Sequence, residues 1–241
     1  MDLGAAVATI TAMTSPITGI SSMATRLLLA ELLAGFTQRT GQRVHMESVG
    51  GVVAAQRVQA GEAFDVVVLA SDAIAKLEAA GHVRAGSRVD LVRSGVAVAV
   101  RAGAQQPDIS SEDAVRAAVL AAPSISYSTG PSGVALAKLF ERWGIADQIQ
   151  SRIVQAPPGV PVGALVASGE VALGFQQLSE LLPLEGITIL GPLPPAIQVT
   201  TIFSAAVATT SAQFDAVRAL LDYLASPATA DVKRAQGMDP A

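Results

Sequence analysis

The chain alternates short β-branched runs with longer stretches in which apolar residues recur at helical spacing. Residues 17–20 read as a strand, ended by Ser21 and Ser22. Over 25–41 the apolar positions Leu28, Leu29, Leu32, Leu33 and Phe36 share one helix face, and Gly41 is the stop. The run RVHMES (43–48) reads as a strand, Gly50 and Gly51 follow, and 52–60 is helical up to Gly61. FDVVVLA (64–70) is a buried strand, and Ser71-Asp72 open a helix that ends near Gly81. Strand followed by helix, three times over, predicts an α/β fold built on a doubly wound parallel sheet.

A second αβ block follows the strand GVAVAVR (95–101). Residues 110–122 are helical, with Ser110 or Ser111 as cap, and 124–128 form a strand. TGPSG (129–133) is a tight turn, 134–143 a helix stopped by Gly144, 152–155 a short strand, 162–168 a helix and VALGF (171–175) a strand. The Pro-rich segment 191–197 interrupts the pattern before a long strand at 198–208. Helices at 212–225 and 229–236 flank Ser226-Pro227. Two long strands thus bracket a self-sufficient block. Entry and exit through two extended segments predict two doubly wound lobes joined by two crossover strands: 1–97 with 200–241, and 98–199. The cleft between such lobes is where a ligand sits and where hinge closure acts.

Composition narrows the class. Of 241 residues 51% are hydrophobic but only 4% aromatic, so the core is filled by Ala, Val, Leu and Ile, as buried parallel strands require. Lys and Arg number 16 against 20 acidic residues. They are spread thinly, so no basic stripe exists and nucleic-acid binding is excluded. Cysteine is absent, which removes disulfides, thiol nucleophiles and thiolate metal sites. His45 and His82 are far apart, so no multi-histidine metal site is available, and no cofactor is indicated. No apolar run reaches the roughly 18–20 residues of a bilayer span, so the protein is not membrane-embedded. The apolar start MDLGAAVATITAMTSP has Asp2 where an export signal carries positive charge, and its first basic residue is Arg26. The expected location is the periplasm if an export signal precedes this chain, and the cytoplasm otherwise.

Five stretches resemble the type II periplasmic-binding-protein superfamily in its molybdate-binding-like branch. They are ITGISSMATRLLLAELLAGFTQRTG, SVGGVVAAQRVQAGEAFDVVVLASD, YSTGPSGVALAKLFERWGI, VGALVASGEVALGFQQLSE and SPATADVKRAQGMDPA. The resemblance implies a solute-binding fold, a small anionic ligand, an ABC importer permease as partner and a monomer. In molybdate-binding relatives hydroxyls, backbone N–H groups and a tyrosine hold the oxyanion. The first-loop serine of that pattern falls here on Ala24, the second-loop serine on Gly50 or Gly51, and the tyrosine on Gln177 or its neighbour. The implied site is therefore anion-binding with its molybdate ligands substituted; Ser21, Ser22, Ser48 and Ser132 stand near enough to compensate.

The loops at strand C-terminal ends are the expected site, because ligands of open α/β sheets bind in the crevice outside those ends. The first loop offers Ser21, Ser22, Met23, Ala24, Thr25 and Arg26; the second Ser48, Gly50 and Gly51. The third offers Ser128, Thr129, Ser132 and Gly133, the fourth (158–162) Val160, and the strand end 176–177 adds Gln176 and Gln177. Free N–H groups at helix starts favour an anion. Arg26, a cation in a first helical turn, is unfavourable there until an anion arrives, and it can hold a carboxylate by two parallel bonds. His45 and Glu47 alternate on one side of a strand as an acid/base pair or a surface polar pair. Two functions follow: a small-anion binder serving an ABC importer, or an isomerase of a small unsaturated tricarboxylate, of the aconitate isomerase type, on the same fold.

Overall fold

The computed structural model describes residues 15–157 and 159–241; the N-terminal segment read above for an export signal lies almost wholly outside them. Strand β1 (Ile17–Ser22) runs through a 3-10 turn (Met23–Thr25) into α1 (Arg26–Thr40). α1 buries the stripe Leu28, Leu29, Leu32, Leu33 and Phe36, and Gly41 ends it at φ 74°, a left-handed value that glycine adopts without steric cost. β2 (Val44–Val49), α2 (Gly51–Gln59), β3 (Val66–Ala70) and α3 (Ser71–Ala79) continue the alternation. β1 pairs in parallel with β2 on one side and β3 on the other. All five residues of β3 are buried because both its faces are covered. Val66, Val68 and Ala70 pack with the α1 stripe, while Val67 and Leu69 pack with Ala54 and Val58 of α2 and Ile74 and Leu77 of α3.

β4 (Val89–Arg101) carries the chain from one lobe to the other. It begins ahead of the expected 95, because exposed Asp90 and Arg93 interrupt the apolar run that marks its second half. α4 (Glu112–Ala121), β5 (Ile125–Tyr127), α5 (Pro131–Arg142), α6 (Ala146–Ile149), α7 (Val162–Ser168), β6 (Leu173–Gln177), α8 (Leu178–Leu181) and β7 (Ile187–Pro192) build the second lobe. β8 (Thr200–Val207) returns, followed by α9 (Phe214–Ala225), α10 (Ala230–Ala235) and β9 (Asp239–Pro240).

Three expectations are corrected. Residues 131–133 are not part of a turn but the first turn of α5, since Pro131 fits the start of a helix, where its missing N–H costs nothing. Residues 152–155 form no strand; Ile153 makes one isolated bridge to Ile125. The sheet is mixed rather than wholly parallel. Its order is β2-β1-β3-β8-β4-β6-β5, with β7 and β9 also on β4. β4 pairs antiparallel with β8 through Val89–Gly95 and with β6 through Val96–Ala99. An outward strand and a return strand between lobes must run in opposite directions. β5 and β6 are parallel, like β1 to β3.

The result is a curled mixed sheet shared by two αβ lobes, with the expected loops at the C-terminal ends of their parallel strands. The buried apolar groups divide the same way. One set combines 17–92 with 203–238, and the other lies within 96–197. Among the described residues no helix is long and apolar enough to cross a membrane.

Candidate functional site

Four helices open from the expected loops: α1, α2, α5 and α7. None has an acidic residue in its first turn, and none is capped by the side chain of its own N-cap residue; in α7 the Gln176 amide oxygen takes the Gly163 N–H instead. By contrast α3, α4, α6, α8, α9 and α10 carry Asp72, Glu112 and Asp113, Asp147, Glu180, Asp215 and Asp231 there. α4, away from the strand ends, is also capped by the Ser111 hydroxyl, which accepts a 3.1 Å bond from the Ala114 N–H. An acidic first turn neutralises the positive end of a helix. α3 and α8 also open from strand ends and carry Asp72 and Glu180, so it is the starts of α1, α2 and α5 that present N–H groups and partial positive charge without an acidic neighbour or a side-chain cap.

The structure brings several expected residues together. The Ser21 and Ser48 hydroxyls lie 2.8 Å apart and tie the first loop to the second. Ser22 is half-buried beside Gly51, where a Cβ would stand 3.6 Å from its hydroxyl. Thr25 is turned inward; its hydroxyl donates to the Ser22 carbonyl at 3.0 Å. Ala24 is buried, Met23 half-buried and Arg26 exposed, and Arg26 forms no ion pair among the described residues. In the second lobe the Ser128 and Ser132 hydroxyls are 3.0 Å apart. Gly133 is required there, since a Cβ would overlap the Ser128 carbonyl. Gly50 and Thr129 are exposed, as is Val160 on the fourth loop. Tyr127 packs edge-on against Phe140 at 5.8 Å.

Gln176 and Gln177 are both buried but face different partners. Gln176 Oε1 accepts the Gly163 N–H at 3.1 Å, at the start of α7. Gln177 Nε2 donates to the Thr201 hydroxyl at 3.0 Å, and its Oε1 is buried with no partner among the described residues. A buried amide oxygen left open costs about 1–3 kcal/mol unless a ligand or water meets it.

His45 and Glu47 are placed on the exposed side of the edge strand β2. Glu47 does not face His45. It is held by Arg57 of α2 at 2.6 and 2.9 Å, and that guanidinium, which also binds Glu62, keeps its carboxylate below the ordinary range. His45 borders a shallow surface hollow between α1 and β2.

A carboxyl that the sequence reading passed over lies beside the strand end. Glu180, on α8, is half-buried, and burial pushes its pKa up to about 7, opposed only by the neighbouring Gln176 amide. The signal for it was an acidic residue four positions after Gln176 in the apolar context QQLSELL. Ser179 beside it donates to the Ala24 carbonyl at 3.0 Å, so α8 reaches across to the first loop.

Two lobes on a curled sheet, with electropositive helix starts around the cleft, define a solute-binding protein. Residues 17–239 match the family of bacterial extracellular solute-binding proteins, and the chain belongs to that family. It is 43% identical over 185 residues to an aconitate isomerase of Pseudomonas sp, spanning 76% of this chain and 70% of that protein. Its fold is also that of the periplasmic molybdate-binding protein of Azotobacter vinelandii, with TM-score 0.76 and 22% identity over 92% of this chain and 98% of that one. The sulfate-binding protein SubI of Mycobacterium tuberculosis H37Rv superposes with TM-score 0.76 at 16% identity, over 95% of this chain and 88% of that one.

Proposed function

We propose that the cleft takes a short tricarboxylate and that the protein interconverts the isomers of aconitate. The observation that carries this reading is the 43% identity to an aconitate isomerase, against 22% and 16% for the molybdate- and sulfate-binding proteins of the same fold. Local chemistry supports it. Small residues at Ala24, Gly50 and Gly51 replace the hydroxyl ligands that the molybdate-binding pattern would place there, leaving room for a larger anion. Arg26, free of carboxylate partners among the described residues, is suited to a bidentate hold on a carboxylate.

Aconitate is propene-1,2,3-tricarboxylate. Its isomers interconvert when a base takes a proton from the methylene carbon. The electron pair spreads over the three-carbon unit and its carboxylates, and a proton returns at the other end as the double bond moves. No electron leaves the substrate, so no redox partner is needed. The acid-free starts of α1, α2 and α5 stabilise the extra negative charge as it develops. The lobes, 1–97 with 200–241 and 98–199, close over the ligand about β4 and the 198–200 segment. The family's extracellular description favours an exported protein.

A thermal-shift panel tests the ligand class. A ligand at about 100 times its dissociation constant adds roughly 2.7 kcal/mol of stability. The cis and trans isomers of aconitate should stabilise the protein, and molybdate, tungstate, sulfate and phosphate should not. Submicromolar molybdate binding without a response to tricarboxylates contradicts the reading. A second reading, supported by the family match, is capture of the same anion for an ABC importer. It predicts binding without proton exchange.

A further inference from the structure

We propose that Glu180 is the group that removes and returns the proton of the bound tricarboxylate, a role that rests on the isomerase reading above. Its position follows from its neighbours on α8. Successive helical side chains turn by about 100°. Leu178 points to Gly237, where a Cβ would stand 3.0 Å from its Cγ. Ser179 points to the Ala24 carbonyl of the first loop. Leu181 packs with Ala97 and Ala99 of β4 and reaches Gly163 at the start of α7. Glu180 therefore leaves α8 between the directions of Ser179 and Leu181. That sector lies between the first loop of one lobe and the opening of α7 in the other. Gln176, fixed by the Gly163 N–H, lies alongside the carboxyl.

The surroundings leave Glu180 without a counter-ion. It forms no ion pair among the described residues. The 23–25 turn, β6 and α7 bring no titratable side chain, and Arg26, which follows the turn, is exposed and makes no ion pair with Glu180. β4 carries Asp90, Arg93 and Arg101, and the 233–239 segment carries Lys233, Arg234 and Asp239; none of these sets the Glu180 titration, which burial raises to about 7. A carboxyl with that value is half-ionised near neutrality, where a proton-transfer group works in both directions. Glu47, by contrast, is held ionised by Arg57 on an exposed strand edge. Asp65 is tied by Thr18, Ser211 and Gln213.

In the proposed step the Glu180 carboxylate takes a proton from the methylene carbon. That C–H bond breaks, and its electron pair enters the allylic system. The protonated Glu180 exchanges its proton with water and then gives a proton to the opposite terminal carbon, whose new C–H bond leaves the double bond shifted by one position. Glu180 ends ionised as it began.

The test is E180Q, assayed by proton NMR of aconitate in deuterium oxide beside binding of tricarballylate, the saturated tricarboxylate that cannot isomerise. E180Q should lose deuterium incorporation and isomerisation by roughly 100- to 10,000-fold. Its tricarballylate affinity should stay within about tenfold of wild type, since only one neutral-shaped contact changes. The wild-type rate should rise with pH through about 7, and any residual E180Q rate should lack that limb. E180D gives an arm independent of how E180Q folds: a carboxyl one methylene shorter should keep the limb and lose part of the rate. Wild-type exchange rates in E180Q, or an undiminished rate in E180D with the limb gone, overturn the assignment while leaving the isomerase reading intact. Absence of both exchange and isomerisation in the wild type overturns the isomerase reading, and the role of Glu180 falls with it.

Discussion

The Ser179 hydroxyl donates a 3.0 Å hydrogen bond to the Ala24 carbonyl, joining residues 155 positions apart and tying α8 of one lobe to the first loop of the other. Both residues are buried, at 7% and 8% exposure, so the carbonyl has no water to turn to. Ser179→Ala should cost about 1–3 kcal/mol by stranding that acceptor. For a chain of this size that is a melting temperature lower by a few degrees. Tricarboxylate affinity should fall as well, because the 23–25 turn loses its anchor. Thermal melts with and without ligand check this; unchanged melting and affinity contradict it.

Arg26→Ala removes an exposed cation from the start of α1. If it holds a ligand carboxylate, affinity should drop roughly 10- to 150-fold, the equivalent of a charge-assisted bond of about 1.5–3 kcal/mol. Arg26→Lys should recover only part, because an ammonium cannot make the planar two-bond fork. Without ligand, stability should stay level or rise slightly, since the helix start loses an unfavourable cation. Calorimetric titration with tricarballylate reads the first effect and melting of the free protein reads the last.

Glu47→Gln breaks an exposed ion pair with Arg57 and touches nothing in the cleft. Exposed pairs contribute little because water and salt screen them. The variant should melt like the wild type and exchange aconitate protons at the wild-type rate. Loss of exchange in this variant, with binding kept, moves the base to β2 and away from α8.

Burial raises the Glu180 pKa from 4.5 to about 7. Between those values the folded protein keeps a proton that the unfolded chain has released. The contribution of this group is therefore full below about pH 4.5 and is lost as pH rises through 7. E180Q has no charge to bury. It should be more stable than wild type at pH 8, by roughly 1–3 kcal/mol, and equal to it near pH 4. Urea melts at the two pH values read this difference; an E180Q that is no more stable at pH 8 contradicts the burial of the charge.

Much of the fold was legible because buried parallel strands write themselves as unbroken apolar runs. FDVVVLA is β3 with two residues to spare, and the Leu28–Phe36 stripe with Gly41 is α1. The first half of β4 was not legible, because exposed Asp90 and Arg93 break its run and its pairing with β8 is long-range. β7 was hidden by its edge position on β4 and by Gly191, at φ 133°, and Pro192, which resemble a loop. The candidate loops could be picked out in the sequence, since Ser and Gly at strand ends mark turns and caps. Glu180 was not, because its meaning comes from what lies across the cleft: Ala24 on one side and Gly163 on the other. Likewise the contrast between acid-free and acidic first turns appears only once the helix starts are fixed.

The central claim is proton transfer on a bound tricarboxylate, and proton NMR of trans-aconitate in deuterium oxide with the wild-type protein tests it most directly. The account predicts loss of the methylene and vinyl proton signals to deuterium, together with growth of the cis isomer, at catalytic amounts of protein. Unchanged spectra for either isomer, with the tricarboxylate shown to be bound, contradict it and leave a protein that captures the anion without altering it.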